Sequence, residues 1–192
     1  IKPTPSIGGV GLIKNYQKMV TMNFKNDDNL VLVIGKTEGH LDQSLFARTI
    51  LDEKNGPPPE VNLFNEKNNG ETLLKLVEKD YIKSAHDVSL GGIITAISKM
   101  CIKGNKGIKL NKSKNFMSEI EYFFSEDQGR YLIEINQKDF KNVIKILDAN
   151  SVHHEKLGVI INKDLIINEK TKVTIDELKS YNNNWLTNYM SS

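Results

Sequence analysis

The chain has 192 residues, with 26 basic and 24 acidic side chains for a formal net charge of +2, and the two signs are interspersed, which excludes the clustered basic footprint of a nucleic-acid binder. Its single cysteine, Cys101, excludes an intramolecular disulfide and fits a reducing compartment such as the cytoplasm. The apolar runs are too short to span a membrane, and a chain of this length suits one domain that buries about 70% of its unfolded surface.

Prolines 3 and 5 hold the first stretch extended, and Gly8, Gly9 and Gly11 permit bends, so residues 1–14 are expected to form an interdomain segment and a first strand. Met19 to Phe24 is expected as a second strand, followed by a turn at Asn26-Asp27-Asp28-Asn29. Leu30 to Ile34 is a continuous apolar run, read as a buried strand ending at Gly35. Thr37 to Gln43 reads as a polar loop and Ser44 to Leu51 as a helix with Leu45, Phe46 and Ile50 inward. Gln43 and Ser44 suit a helix cap or a ligand contact equally well. Gly56-Pro57-Pro58-Pro59 is a stiff connector, and Glu60 to Glu78 reads as a helix bent near Asn68-Asn69-Gly70, with Leu73, Leu74 and Val77 on its apolar face.

The most informative stretch runs from Ser84 to Met100. Tyr81 and Ile82 begin a short strand, while Ile93, Ile94, Ile97, Met100 and Cys101 recur at helical spacing. Between them stand His86, Asp87, Ser89, Gly91 and Gly92. A glycine pair lets the backbone approach a ligand closely, and a helix N-terminus offers unpaired N–H groups that suit a phosphate. Ser89 fits a helix cap or an anion contact, and Asp87 suits a metal ion or a ligand hydroxyl. Strand, glycine turn and helix is also a common architectural unit, so this pattern by itself does not separate a ligand site from a plain turn.

Further along, Gly107 to Leu110 reads as a strand, Ser118-x-x-Glu121 as a capping box, and Tyr131 to Ile135 as a strand. Phe140, Val143, Ile144 and Leu147 mark an amphipathic helix. His154 to Ile161 and Asp164 to Ile167 read as a hairpin around Asn162-Lys163, and Val173 and Ile175 as another short extended piece. Asp176 is expected to cap a last helix whose Leu178, Tyr181, Trp185, Leu186 and Tyr189 form a stripe, meant for the core or for a subunit contact. Strands and helices mix without strict alternation, which argues for an α+β domain, a mixed sheet with helices packed on it. The four histidines form no helical pair, so no metal site is expected, and Cys101 lies on an apolar stripe as an inert thiol. Arg130, one of only two arginines, fits a phosphate or carboxylate contact in a cleft, or a local pair with Glu126 or Asp127.

Four stretches, in order, carry a resemblance to a known family. His86-Asp87-Val88-Ser89-x-Gly91-Gly92 is similar to the HDVSDGG signature of phosphoribosylformylglycinamidine synthases. The segment from Pro3 to Ile13 resembles their PTPVIGxVGLI segment, Gly35-Lys36-Thr37 through Leu41-Asp42-Gln43-Ser44 their GxT…LGxS segment, and Phe124 to Tyr131 their FxESQGRF segment. The chain departs from the family at Leu90, where a carboxylate is usual, and at Asp42, where glycine is usual.

The resemblance implies a C-terminal domain of the aminoimidazole ribonucleotide synthetase type, cut from the second half of a longer synthase subunit. It implies ATP- and glutamine-dependent conversion of formylglycinamide ribonucleotide to formylglycinamidine ribonucleotide in purine biosynthesis. ATP and Mg²⁺ would be bound mainly by domains outside this chain, and the fragment alone would be inactive. The implied partners are the N-terminal domains of the same subunit, a separate glutaminase subunit and a small bridging subunit. His86, Asp87, Ser89, Gly91 and Gly92 are expected to meet the ribonucleotide or its phosphate, with Gln43, Ser44 and Arg130 as cleft contacts. The alternatives are a non-catalytic half of the same enzyme holding a structural nucleotide, or a related aminoimidazole ribonucleotide synthetase-like ligase.

Overall fold

All five residues of β1 (Leu30–Ile34) are buried, which places this strand in the middle of a sheet covered on both faces. In the computed structural model, which describes residues 6–13, 15–112, 114 and 118–191, β1 lies between β4 (Tyr131–Ile135) and β5 (His154–Ile161), antiparallel to both. Among the described residues the sheet has seven strands in the order β2-β4-β1-β5-β3-β6-β7, with β2 spanning Ile82–Asp87, β3 Gly107–Leu110, β6 Leu165–Ile167 and β7 Thr171–Val173. Only the β3–β6 pair is parallel, so the sheet is mixed and the fold α+β, as expected.

Period-2 alternation sends the side chains of β1 to two cores. Val31 and Val33 join Leu132, Leu157 and Ile160 under α3 (Gly92–Gly104), α4 (Glu119–Phe124) and the start of α6 (Ile175–Ser191). Leu32 and Ile34 join Ile133 and Ile135 under α2 (Leu63–Glu78) and α5 (Phe140–Ala149). Each fully buried aliphatic contributes about 1.5–3 kcal/mol. The spacing of Ile93, Ile97, Met100 and Cys101 along α3 therefore fixes which side of that helix meets the sheet.

Several elements differ from the sequence expectation. Residues 6–13 form no strand and are exposed, and a Cβ on Gly8, Gly9 or Gly11 would meet open space; Pro3, Thr4 and Pro5 lie outside the described residues. Met19 to Phe24 forms no strand either, but makes one bridge, Thr21 to Ser84, before Phe24 plugs the α3 core. Helix α1 (Leu45–Thr49) buries Ala47, whereas Leu45 and Ile50 face outward. Helix α2 starts at Leu63 and runs unbroken through Asn68-Asn69-Gly70, because the Asn69 side chain donates to the Gly129 carbonyl (2.9 Å) and so belongs to the interior. Thr72 and Leu76 are fully buried, while Leu74 is exposed.

Strands β5 and β6 do not form a hairpin. β3 lies between them, and β6 turns instead into β7. The cap of α6 is Thr174 rather than Asp176: the Thr174 hydroxyl accepts the Glu177 N–H, and the Glu177 carboxylate accepts the Thr174 N–H and hydroxyl. Those bonds hold the Glu177 carboxyl below its ordinary range. Leu178 packs on the core, but Tyr181, Trp185, Leu186 and Tyr189 are exposed, so the stripe on α6 is not a core face.

Candidate functional site

Strand β2 delivers His86 and Asp87 at its end, so both stand on the strand and the turn itself is residues 88–91. Val88 is buried and its N–H donates to the Arg130 carbonyl (2.9 Å), which ties the turn to the approach of β4. Ser89 and Leu90 project outward, and Leu90 is 58% exposed where the family signature carries a carboxylate. The cap of α3 is Gly91, in the left-handed region at φ 81°, and no side chain caps the helix. Ser89 instead contributes its carbonyl, which accepts the Gly92 N–H (3.0 Å).

The glycine pair serves packing. A Cβ on Gly92, itself at φ +68°, would lie 2.5–2.8 Å from backbone atoms of Phe123, Phe124 and Ser125, so α3 starts directly against the end of α4. The Gly91 N–H is already taken by the carboxylate of Glu126 (2.8 Å). Contrary to expectation, with the Gly92 N–H held by the Ser89 carbonyl, neither glycine amide opens toward a ligand, and a side chain at Gly92 would disrupt the fold rather than only the site.

The His86 ring meets the Asp87 carboxylate through Nδ1 (2.9 Å), while its Nε2 is buried without a partner among the described residues. Asp87 and Ser89 line a cavity of about 300 Å³ with Glu66, Leu90, Glu126 and Tyr131. Three carboxylates give this cavity an acidic lining, and burial, with Glu66 and Asp87 adding to it, raises the Tyr131 phenol above its ordinary value. The floor, Gln128 and Gly129, also borders a second cavity of about 570 Å³ formed by the loop 35–40, the first half of α2 and residues 127–129. Lys36, His40 and His153 line it together with Glu38, Glu60 and Glu66, Lys36 pairing with Glu38 (2.6 Å), and Asn62, Asn65 and Asn69 add amides.

Arg130 borders the smaller cavity, but its side chain is buried and its guanidinium is spent on internal partners. It is 1% exposed and its guanidinium donates to the Asp127 carbonyl (3.1 Å), the Thr37 hydroxyl (3.1 Å) and the Ser125 carbonyl (2.7 Å). The Asp127 carboxylate stands 3.6 Å away, and burial lowers the Arg130 pKa while Asp127 opposes the shift. Gln43 and Ser44 also act locally. The Gln43 amide donates to the carbonyls of Lys54 and Gly56, and the buried Ser44 hydroxyl caps α1 by accepting the Ala47 N–H (3.1 Å).

Two residues that sequence reasoning treated only as possible partners of Arg130 organise the loops. The Asp127 carboxylate accepts the N–H groups of Glu38, Gly39 and His40 (3.0–3.2 Å), and Glu126 accepts those of Leu45 and Gly91. Their adjacency, directly after an apolar helix end, was the available signal; their backbone partners are far away in sequence. Among the described residues no three of His, Cys, Asp or Glu converge closely enough to hold a metal ion. No described helix is long and apolar enough to cross a membrane.

Residues 26–168 match the family model of the AIR synthase related protein, C-terminal domain. Over all 192 residues the chain is 68% identical to the phosphoribosylformylglycinamidine synthase subunit PurL of Pelagibacter ubique and 33% identical to that of Azorhizobium caulinodans. It spans about a quarter of their length, 26% of each. Among solved structures, Thermotoga maritima PurL complexed with FGAR superposes with a TM-score of 0.69 at 18% identity, covering 84% of this chain and 29% of that one. E. coli HypE superposes with a TM-score of 0.58 at 13% identity, covering 81% of this chain and 51% of that one. At those identities the two structures establish the shared fold.

Proposed function

This chain belongs to the AIR synthase related protein family, through that family's C-terminal domain, and from that premise we propose that it serves as one domain of a phosphoribosylformylglycinamidine synthase subunit. The observation that carries the reading is the 68% identity to the Pelagibacter ubique subunit over all 192 residues. In the intact ligase ATP phosphorylates the formyl-amide oxygen of formylglycinamide ribonucleotide, and ammonia then displaces phosphate to give formylglycinamidine ribonucleotide. ATP and magnesium are held mainly by domains outside this chain.

This domain's part is to wall the ribonucleotide cleft. His86, Asp87 and Ser89 contribute the polar edge of the turn, and Gly91 and Gly92 set its path. The carboxylates of Glu66 and Asp87 in the lining favour a ribose, whose hydroxyls donate to carboxylates, over a bare phosphate, which they repel. A solved Thermotoga maritima assembly is named PurLQS, which supports association with a separate glutaminase and a small bridging subunit. The compartment is the cytoplasm. A scaffold role, in which this half holds a nucleotide that is never consumed, is the second reading, favoured by exposed Leu90 in place of the family's carboxylate.

The test uses the intact subunit with ATP and formylglycinamide ribonucleotide. Ammonia should drive turnover without any partner, glutamine only after the glutaminase is added, and the 192-residue piece should fold but not turn over. A folded intact subunit that is silent with ammonia overturns the catalytic reading. A labelled nucleotide that stays bound through many turnovers assigns the scaffold role to the half that holds it.

A further inference from the structure

One oxygen of Glu126 accepts two backbone N–H groups from segments far apart in the chain, Leu45 at 2.7 Å and Gly91 at 2.8 Å. Leu45 opens α1 and Gly91 caps α3, so a single carboxylate joins the starts of two helices, where negative charge is favoured. The backbone N–H of Glu126 donates in turn to the His40 carbonyl (3.0 Å). The next residue, Asp127, grips the N–H groups of Glu38, Gly39 and His40 from its place beside buried Arg130. The loop 38–45 is thus clamped at both ends by adjacent carboxylates, but Glu126 also reaches across to the turn that carries Asp87 and Ser89.

We infer that Glu126 is a positioning residue, whose carboxylate sets the separation between the loop 38–45 and the turn 88–91 and thereby the shape of the ribonucleotide cleft. Two features give it this role rather than that of a ligand contact. Both of its hydrogen bonds go to backbone groups, so it fixes main chain. Its charge is engaged by oriented N–H dipoles, so it stays seated despite Asp87 and Glu66 around the same cavity. Without it, the turn keeps its tie from Val88 to the Arg130 carbonyl but loses its tie to α1. The turn then pivots relative to the loop, and a displacement of about 1 Å can cost up to about a hundredfold in a positioned site.

The kinetic arm of the test rests on the synthase reading above; the exchange arm does not. In the intact subunit, Glu126→Ala should raise the KM for formylglycinamide ribonucleotide by about tenfold or more, with a smaller change in kcat. Glu126→Gln keeps an oxygen that accepts both N–H groups and should recover most of the loss. A side chain that only stabilises the fold would lower the melting temperature and the amount of active enzyme while leaving KM in place. Hydrogen exchange should accelerate together in peptides covering Leu45 and Gly91 of Glu126→Ala, while residues 38–40, held by Asp127, stay protected. An unchanged KM in a folded Glu126→Ala subunit overturns the inference. So does a glutamine variant no better than alanine, or loosening of only one of the two segments. If the wild-type subunit shows no turnover, the synthase reading falls and the exchange arm alone decides the positioning role.

Discussion

Arg130 and Glu134 are both buried, four residues apart, and the domain accommodates them differently. Arg130 leads into β4 beneath the cleft loops, bonded to two carbonyls and the Thr37 hydroxyl, with the Asp127 carboxylate close by. Glu134 stands within β4, in register with Ser84 of β2 and Val31 of β1, and the groups that donate to it are all neutral. It accepts from the Ser84 hydroxyl (2.7 Å), the Asn29 amide (2.7 Å) and the N–H groups of Lys25 and Asn26 (2.9 and 3.1 Å). An opposite charge is one way to bury an ion, and enough oriented dipoles is another. The first lies under the loops that shape the cleft, whereas the second staples the segment before β1 onto the sheet.

The comparison is broken most severely at Glu134. Glu134→Ala leaves four donors without their acceptor and should cost about 3–5 kcal/mol in chemical denaturation. Glu134→Gln, which retains one acceptor oxygen, should fall between alanine and wild type; full stability in the glutamine variant would show that the cage does not depend on the charge. Arg130→Met should cost about 2–4 kcal/mol, because Asp127 keeps its three N–H donors when the cation leaves. Arg130→Lys should not rescue it, since a point charge cannot span the same acceptors, and the loss should not change with added salt.

Cys101 adds a group buried in its neutral form to the comparison. Burial pushes its thiol up from 9.0 to about 12. A folded pKa above the unfolded one means that the contribution is fully present below pH 9.0 and is lost as the pH rises toward about 12. Urea melts of wild type and Cys101→Ala across that range should show the alkaline loss in the wild type and a smaller one in the variant. The smallest effect belongs to the outer half of α6, where Trp185→Ala should change stability by no more than about 0.5 kcal/mol because Trp185 is 62% exposed. A larger loss would place that face in a contact within the folded chain.

Much of the sheet was legible because its strands have sharp local signatures. Leu30–Ile34, Gly107–Leu110, Tyr131–Ile135 and His154–Ile161 were all bounded correctly by apolar runs that stop at Gly, Asn or charged residues. What failed was neighbourhood. Nothing local in Leu165–Ile167 shows that β3 takes the place beside β5, so a short Asn-Lys link read as a hairpin. Helix α2 passes through Asn69 and Gly70 because a distant carbonyl engages Asn69, which propensity cannot foresee. At the site, the strand, the turn and the start of α3 were visible, and so was the rigid fork of Arg130. The direction of that fork and the reach of Glu126 are properties of assembled loops. The stripe on α6 had the spacing of a core face, but spacing records a shared side of a helix and not what covers it.

Strand order also dictates when this domain can take shape during synthesis. β1, β2 and β3 pair with none of one another: β1 waits for β4 and β5, β2 for β4, and β3 for β5 and β6. When Arg130 has been added, the described residues before it therefore hold three strands with no ladder between them. The pairing of Leu30 with Ile135 closes a long loop before any ladder bond rewards it. Within residues 131–161, β4 and β5 then give each of the three strands a neighbour, and β6 later completes β3. Until that moment the Leu30–Ile34 run is a bare, sticky strand. Nascent chains stalled ahead of Tyr131 are accordingly the form most exposed to aggregation and most dependent on chaperones.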